Sequence, residues 1–540
     1  MQKIQLGDKK VMPFTIPSGI IMTDPRCAKR ILEMVPEIGI WTTKSYTPQP
    51  REGNREPIIA KYCENGLMNA VGLTNPGAER GKEEIRKAEI PKDRVVLGSA
   101  AGQSEEEIVF VVRTLDDVVD AHEINFSCPH AKKHGMAIGS DPNDVYQITR
   151  AVCGVTRKPV IAKLTPNTNI LGKLADAAMR AGAYGISAIN TVGPGYWSVD
   201  GHAVLTNKIG GISGRAIIPI GIKCVRDVRQ AIGRDIPIIG MGGIRTVRDI
   251  EEYAKAGANA FGIGSALAGM TDEDIRCYFS ELVKDRDSNG WTNNASAFLR
   301  EINMDYRKAR VTEKIDCADD FKIFKTDIDV VAASGQFVFA WIPGIGEKPF
   351  SVMDDNPLTL GVLTRGEFTR ALNSLQNGDS FYVRGPYGRG VDIPNNSHVS
   401  LVGGGCGIAG LHLLAKRFSE KALSIRTILG AKDKEHLAYL TQFEKYGPVS
   451  VATEDGSFGR RGLVTDFLDV DNFSPHTYFF NCGPKEMIEA VLPLELKATS
   501  SERIYSSLDY ITSCGIGLCG KCVDEEGRRT CVYGPFMRES

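Results

Sequence analysis

Ile236-Pro237-Ile238-Ile239-Gly240-Met241-Gly242-Gly243-Ile244 reads as a short apolar strand that stops on a glycine pair, and a longer charged helical stretch follows it. β-Branched residues in an unbroken apolar run suit a strand covered on both faces, as parallel sheets are. Seven more runs of this kind occur near Ile16–Ile20, Gly39–Thr43, Val95–Ser99, His122–Phe126, Pro159–Lys163, Gly185–Ile189 and Ala260–Ile263. Eight strands alternating with helices predict an α/β fold, a (β/α)8 barrel over residues 1–305, whose chemistry sits on the loops after the C-terminal strand ends.

Those strand ends carry a coherent set of polar residues. Lys44 follows the second, Asn125-Phe126-Ser127-Cys128-Pro129 ends the fourth, Lys163 the fifth and Asn190-Thr191 the sixth. Gly242-Gly243 and Gly264-Ser265 follow the last two strands, where small residues let backbone N–H groups approach a phosphate. One glycine pair alone would be read as a tight turn; two on neighbouring strands imply a phosphate-bearing cofactor.

The chain has 540 residues, too many for a single core, and a net charge of −1, which offers neither the basic footprint of a nucleic-acid binder nor a polybasic membrane patch. No apolar run is long enough to span a bilayer and the first residues lack a signal-peptide pattern, so a cytoplasmic protein with small-molecule partners is expected. Thirteen cysteines are an odd number for a disulfide framework. Four of them, Cys514, Cys519, Cys522 and Cys531, have the C-x4-C-x2-C…C spacing of a plant-type [2Fe–2S] cluster, the alternative being a structural zinc knot.

Beyond Tyr306 the pattern changes to short strands, Val311–Ile315 and Phe321–Thr326, without long helices between them. Near Ser397 it changes again: Val399-Ser400-Leu401-Val402-Gly403-Gly404-Gly405-Cys406-Gly407 is an apolar strand running into a glycine-rich loop and a helical stretch, a dinucleotide-binding arrangement. The expected division is 1–305 barrel, 306–394 β-barrel, 395–500 α/β nucleotide domain and 501–540 cluster domain.

Thr43-Lys44, Asn69-Ala70-Val71-Gly72-Leu73, Asn125-Phe126-Ser127-Cys128-Pro129, Lys163-Leu164-Thr165-Pro166 and Gly240-Met241-Gly242-Gly243 resemble segments of the FMN-dependent dihydroorotate dehydrogenases, over roughly residues 10 to 300. The resemblance implies that Ser18, Gly19, Lys44, Lys163 and Gly214 contact FMN and that Gly242, Gly243, Gly264 and Ser265 cradle its phosphate. It implies that Lys44, Asn69, Val71, Gly72, Leu73, Asn125, His130, Asn190 and Thr191 hold the pyrimidine, with Cys128 as the base. A base must remove one proton while the flavin accepts a hydride from the neighbouring carbon, and asparagine amides match imide edges. Barrels of this class often pair as homodimers.

His130 departs from the pattern, because the family usually has an asparagine there, and Ser-Cys-Pro-His also occurs in dihydropyrimidine dehydrogenases acting on uracil and thymine. That activity is one alternative; an NADH-dependent flavin and iron–sulfur electron-transfer protein is another.

The second half resembles the ferredoxin–NAD(P) reductases, and its end resembles the electron-transfer subunit of NAD-linked dihydroorotate dehydrogenase. By that likeness Lys348, Pro349, Phe350, Ser351, Gly366 and Thr369 bind FAD. Gly403, Gly404, Gly405, Cys482 and Gly483 receive NAD, and Lys348 stands where an arginine is usual. The chain then reads as a fusion of two normally separate polypeptides, passing electrons from FMN through [2Fe–2S] to FAD and NAD.

Overall fold

Pro17-Ser18-Gly19 ends the first barrel strand: proline has no N–H for the ladder, and the chain turns through φ of +85° at Gly19 and +51° at Ile21. Strand β1 is therefore Phe14–Ile16, several residues before the run expected near Ile16–Ile20. The computed structural model describes residues 1–127, 138–288, 292–508 and 510–539. The chain divides into two compact units, Met1–Ile302 with Ile516–Arg528, and Asn303–Gly515 with Arg529–Ser540.

In the first unit β1 is followed by β2 (Ile38–Thr42), β3 (Val95–Ala100), β4 (Ala121–Asn125), β5 (Val160–Leu164), β6 (Gly185–Ala188), β7 (Ile238–Met241) and β8 (Ala260–Gly262). They close into one barrel in sequence order, every pairing parallel. Helices alternate with them, several starting on side-chain caps such as Ser104, Asp141 and the Thr246/Asp249 capping box. Leu6 and Val11 of an N-terminal hairpin pack with Ile40, Val95, Leu97, Ile161 and Ile239 in one apolar cluster. The loops after β2 and β6 form a four-stranded antiparallel sheet from Ile59–Cys63, Gly66–Asn69, Val192–Tyr196 and Ile209–Gly214.

The second unit holds two sheets of seven strands. The first is antiparallel: β9 (Arg307–Ala318), β10 (Phe321–Thr326), β11 (Phe337–Ile342), β12 (Gly346–Ser351), β13 (Leu358–Leu363) and β14 (Ser380–Tyr387), with a two-residue strand at Asp354–Asp355. The second has β15 (His398–Gly404) at its centre, flanked on one side by β16 (Ser424–Ala431) and β17 (Val449–Thr453), on the other by β18 (Tyr478–Cys482) and β19 (Ile504–Ser507), all parallel. Strand order reverses at β15, where an open α/β sheet forms its ligand crevice. Among the described residues no helix is long and apolar enough to cross a membrane.

Candidate active site

Barrel register places the polar residues on one interior face. Ser99 on β3 stands beside Glu123 on β4, and Asn125 at the end of β4 beside Lys163 on β5. Alternation along a strand then points Glu123 and Asn125 the same way. Lys163 Nζ lies 3.4 Å from Glu123 Oε1, Asn125 Nδ2 donates to Ser45 Oγ at 3.2 Å, and Asn190 Nδ2 reaches Asn125 Oδ1 at 3.5 Å. Ser127 N also donates to Asn125 Oδ1, at 3.1 Å, which pins the amide. Cys128 and His130 lie outside the described residues.

Lys44 is buried, and among the described residues no carboxylate pairs with it. Burial lowers its ammonium to about 8, Cys519 opposes that shift and Lys521 adds to it. A buried cation of this kind would be stabilised by an anionic or carbonyl ligand. The loop expected to hold the pyrimidine runs from Asn69 through Val71, Gly72 and Leu73, all half-buried, with positive φ at Gly72 and Leu73. Asn54 braces it, its N–H donating to Val71 O at 3.0 Å and its Nδ2 to Ala70 O at 3.0 Å. Gly211 pairs with Asn69, and a Cβ on Gly211 would fall 2.0 Å from Thr191 Oγ1, so Asn69 and Thr191 come together across that glycine.

Gly243, expected at the phosphate, meets Gly214, expected at the flavin. Gly214, Gly242 and Gly243 have φ of +102°, +128° and +79°, and a Cβ on Gly243 would stand 2.5 Å from Gly214 O. Gly264 lies against Ile20 of the β1 loop, Gly19 faces open space and Ser265 begins a short 3-10 turn. At Gly243 a side chain would meet backbone, and the absence of one suits a cradle of N–H groups.

Residues 516–528 belong to this unit, which sequence reading did not anticipate. Ile21 N donates to Leu518 O at 2.7 Å and Gly269 N to Ile516 O at 2.9 Å; Lys521 Nζ lies 3.7 Å from Glu56 Oε1. The segment bearing Cys519 and Cys522 is thus seated on the loops after β1 and β8, at the end of the barrel that carries Lys44.

In the second unit Lys348, Pro349, Phe350 and Ser351 lie on β12, Lys348 exposed. Gly366 N donates to Thr369 Oγ1 at 3.0 Å and the Thr369 hydroxyl donates to Gly366 O at 3.1 Å, so these groups close their own turn. Gly403 pairs with Cys482 at the reversal point of the parallel sheet, beside Gly404, Gly405 and Gly483. A Cβ on Gly410 would lie 3.1 Å from Cys482 Sγ and 3.3 Å from Ser351 Oγ, so the two motif sets converge on one spot.

Cys514, Cys519, Cys522 and Cys531 are buried, each at most 6% exposed. Gly515, Gly517 and Gly520 between them have positive φ, freeing backbone N–H groups to turn. In type, burial and spacing the set suits an iron–sulfur cluster. Among the described residues no three His, Cys, Asp or Glu side chains are gathered as a metal-binding group. Arg384, fully buried, donates from Nη1 to Cys514 O at 3.0 Å and is paired through two nitrogens with Glu347, Nε to Oε2 at 2.8 Å.

Residues 5–275 match the dihydroorotate dehydrogenase family. The catalytic subunit of dihydroorotate dehydrogenase B (NAD(+)) from Pyrococcus abyssi is 43% identical over 264 residues, 48% of this chain and 85% of that protein. Its counterpart from Pyrococcus furiosus is 43% identical over 280 residues, 50% and 90% of the two chains. The one from Methanopyrus kandleri is 37% identical over 311 residues, 56% and 96%. A solved NADH-dependent reduced ferredoxin–NADP oxidoreductase structure, 30% identical over 43% of this chain and 87% of its own, superposes at a TM-score of 0.39, too loosely to bear on function. With all eight barrel strands inside the matched region, the chain belongs to the dihydroorotate dehydrogenase family.

Proposed function

We propose that this chain oxidises dihydroorotate to orotate and delivers the electrons to NAD within one polypeptide. The observation that carries the reading is that Asn125 links Asn190 to Ser45, the residue after Lys44, and lies beside Lys163 in the barrel register. When bound, FMN would supply hydride acceptance, FAD hydride exchange with NAD, and the [2Fe–2S] cluster single-electron transfer between them. Lys44 and Lys163 would hold the flavin ring, and Gly242, Gly243, Gly264 and Ser265 its phosphate. Asn69, Asn125, Asn190 and Thr191 would orient the pyrimidine, the loop Val71–Leu73 would close over it, and Cys128 would take the substrate proton. In the second unit Pro349, Phe350, Ser351 and the Gly366–Thr369 turn would hold FAD. Cys482 and Gly483 would border the nicotinamide beside the Gly403–Gly405 loop, and Cys514, Cys519, Cys522 and Cys531 would ligate the cluster.

The test is anaerobic addition of dihydroorotate, and separately dihydrouracil, to oxidised protein while flavin absorbance is followed. Bleaching by dihydroorotate alone is the expected result. Bleaching by dihydrouracil alone would move the chain to uracil or thymine chemistry, the activity His130 favours. Bleaching by neither, with NADH still effective, would leave an electron-transfer protein.

A further inference from the structure

Glu123 is a carboxylate in the interior of the barrel, 1% exposed, on a strand whose neighbours inside the barrel are mostly apolar. Acidic side chains are almost never buried so fully without a partner, and a buried ion pair usually adds less stability than apolar residues of the same volume. Its presence therefore calls for an electrostatic reason. Lys163 Nζ stands 3.4 Å from Glu123 Oε1, and the Ser99 hydroxyl donates to the same oxygen at 3.2 Å.

A chain of hydroxyls leads away from this carboxylate. Ser99 Oγ lies 2.8 Å from Ser45 Oγ, Ser45 Oγ lies 3.1 Å from Ser18 Oγ, and Asn125 Nδ2 donates to Ser45 Oγ at 3.2 Å. An ionised carboxylate can only accept. Ser99 must then spend its proton on Glu123 and accept from Ser45, which in turn accepts from Asn125 Nδ2. One charge thus fixes the direction of every donor in the row, and Ser45 is left able only to accept from the Asn125 amide, in agreement with Ser127 N, which as a donor already holds Oδ1 on its own side: Nδ2 faces Ser45, and Oδ1 faces Ser127 N and Asn190 Nδ2.

We infer that Glu123 is a positioning residue with two outputs. It balances the charge of Lys163, which on that reading would contact the flavin, and through Ser99 and Ser45 it reinforces, together with Ser127 N, the orientation of the amide that would read the pyrimidine. The inference deepens the functional reading above and rests on it.

The test uses the full chain carrying its cofactors. E123Q keeps the shape and removes the charge, leaving the Lys163 ammonium unbalanced, which favours the anionic reduced flavin. In a dye-equilibrated reductive titration, the flavin whose spectrum orotate perturbs should become easier to reduce. Its reduced-to-oxidised ratio at fixed potential should rise about tenfold, or ~30 mV for a two-electron couple. Orotate affinity, read from the same spectral change, should fall about tenfold. S99A, which cuts the row but keeps the ion pair, should weaken orotate severalfold and leave the flavin midpoint in place. An unmoved midpoint in E123Q, or an equal midpoint shift in S99A, would overturn the inference. Should E123Q fail to accumulate with flavin, S99A and S45A still decide it, since unchanged orotate affinity in both would overturn the row. A wild-type flavin that dihydroorotate cannot reduce would overturn the functional reading and this inference together; a reducible wild type with an unmoved E123Q would overturn this inference alone.

Discussion

Glu495 shows how far one buried side chain can bind stability to pH. It is 1% exposed, and burial, helped by the charge of Glu539 and opposed by the Asn481 amide donating at 2.7 Å, raises its carboxyl to about 8. The folded state therefore keeps a proton that the unfolded chain loses near about 4.3. Its contribution is complete below that value and is lost as pH rises toward 8, because the folded state binds the extra proton throughout the window. E495Q should flatten this dependence, and amide exchange over Lys485–Ala498 followed from pH 5 to 8.5 should slow relative to wild type at the alkaline end; parallel profiles would contradict it. Cys128 makes a second residue-scale prediction. C128A should slow dihydroorotate oxidation by about 100-fold or more, in the range of general base catalysis, while NADH-driven dye reduction persists. Equal loss of both would refute that division of labour. Lys44, Asn125 and Lys163 were legible in the sequence because each stands at the end of an apolar run. Glu123 was not singled out, although a carboxylate inside such a run was the available signal, because its partners Ser99 and Lys163 lie 24 and 40 residues away and only barrel register joins them.

At the scale of elements, strands β11, β12 and β14 are locked by one ion pair. Arg384 on β14 pairs with Glu347 on β12, its guanidinium sits 4.0 Å from the Phe339 ring centroid on β11, and the Tyr306 hydroxyl donates to Glu347. Removing one partner of a buried pair leaves the other charge stranded, at a cost of about 3–5 kcal/mol. R384A should therefore lower the unfolding midpoint of the second unit sharply. R384M/E347Q, which strands no charge and preserves an acceptor for Tyr306, should recover most of the loss. A double variant as weak as R384A, measured by urea denaturation, would show that packing rather than charge is at stake. Strand positions in the barrel were readable to within about two residues wherever β-branched runs ended cleanly. The first strand was displaced because Ile20 and Ile21 continue the apolar pattern past Pro17, while the backbone cannot continue the ladder there.

If the whole molecule couples two half-reactions, as proposed, C519S should separate them. Each flavin should remain reducible by its own substrate while dihydroorotate-to-NAD turnover falls by about 100-fold or more; unimpaired turnover would refute a relay through that cysteine. Motif order along the chain made the two halves legible, since each motif is local. That residues 516–528 count with the barrel was invisible, because the contacts of Leu518 with Ile21 and of Lys521 with Glu56 link positions almost 500 residues apart. This placement has a consequence for manufacture. Chains are translated from the N-terminus and domains tend to fold as they emerge, at roughly 5–20 residues per second. The barrel's first 302 residues leave the ribosome long before residue 516 is made, so its mouth lacks residues 516–528 while residues 303–515 are being synthesised. A ribosome that stalls in between yields a barrel without residues 516–528, so the segment that caps the loops after β1 and β8 is the last part of that unit to arrive.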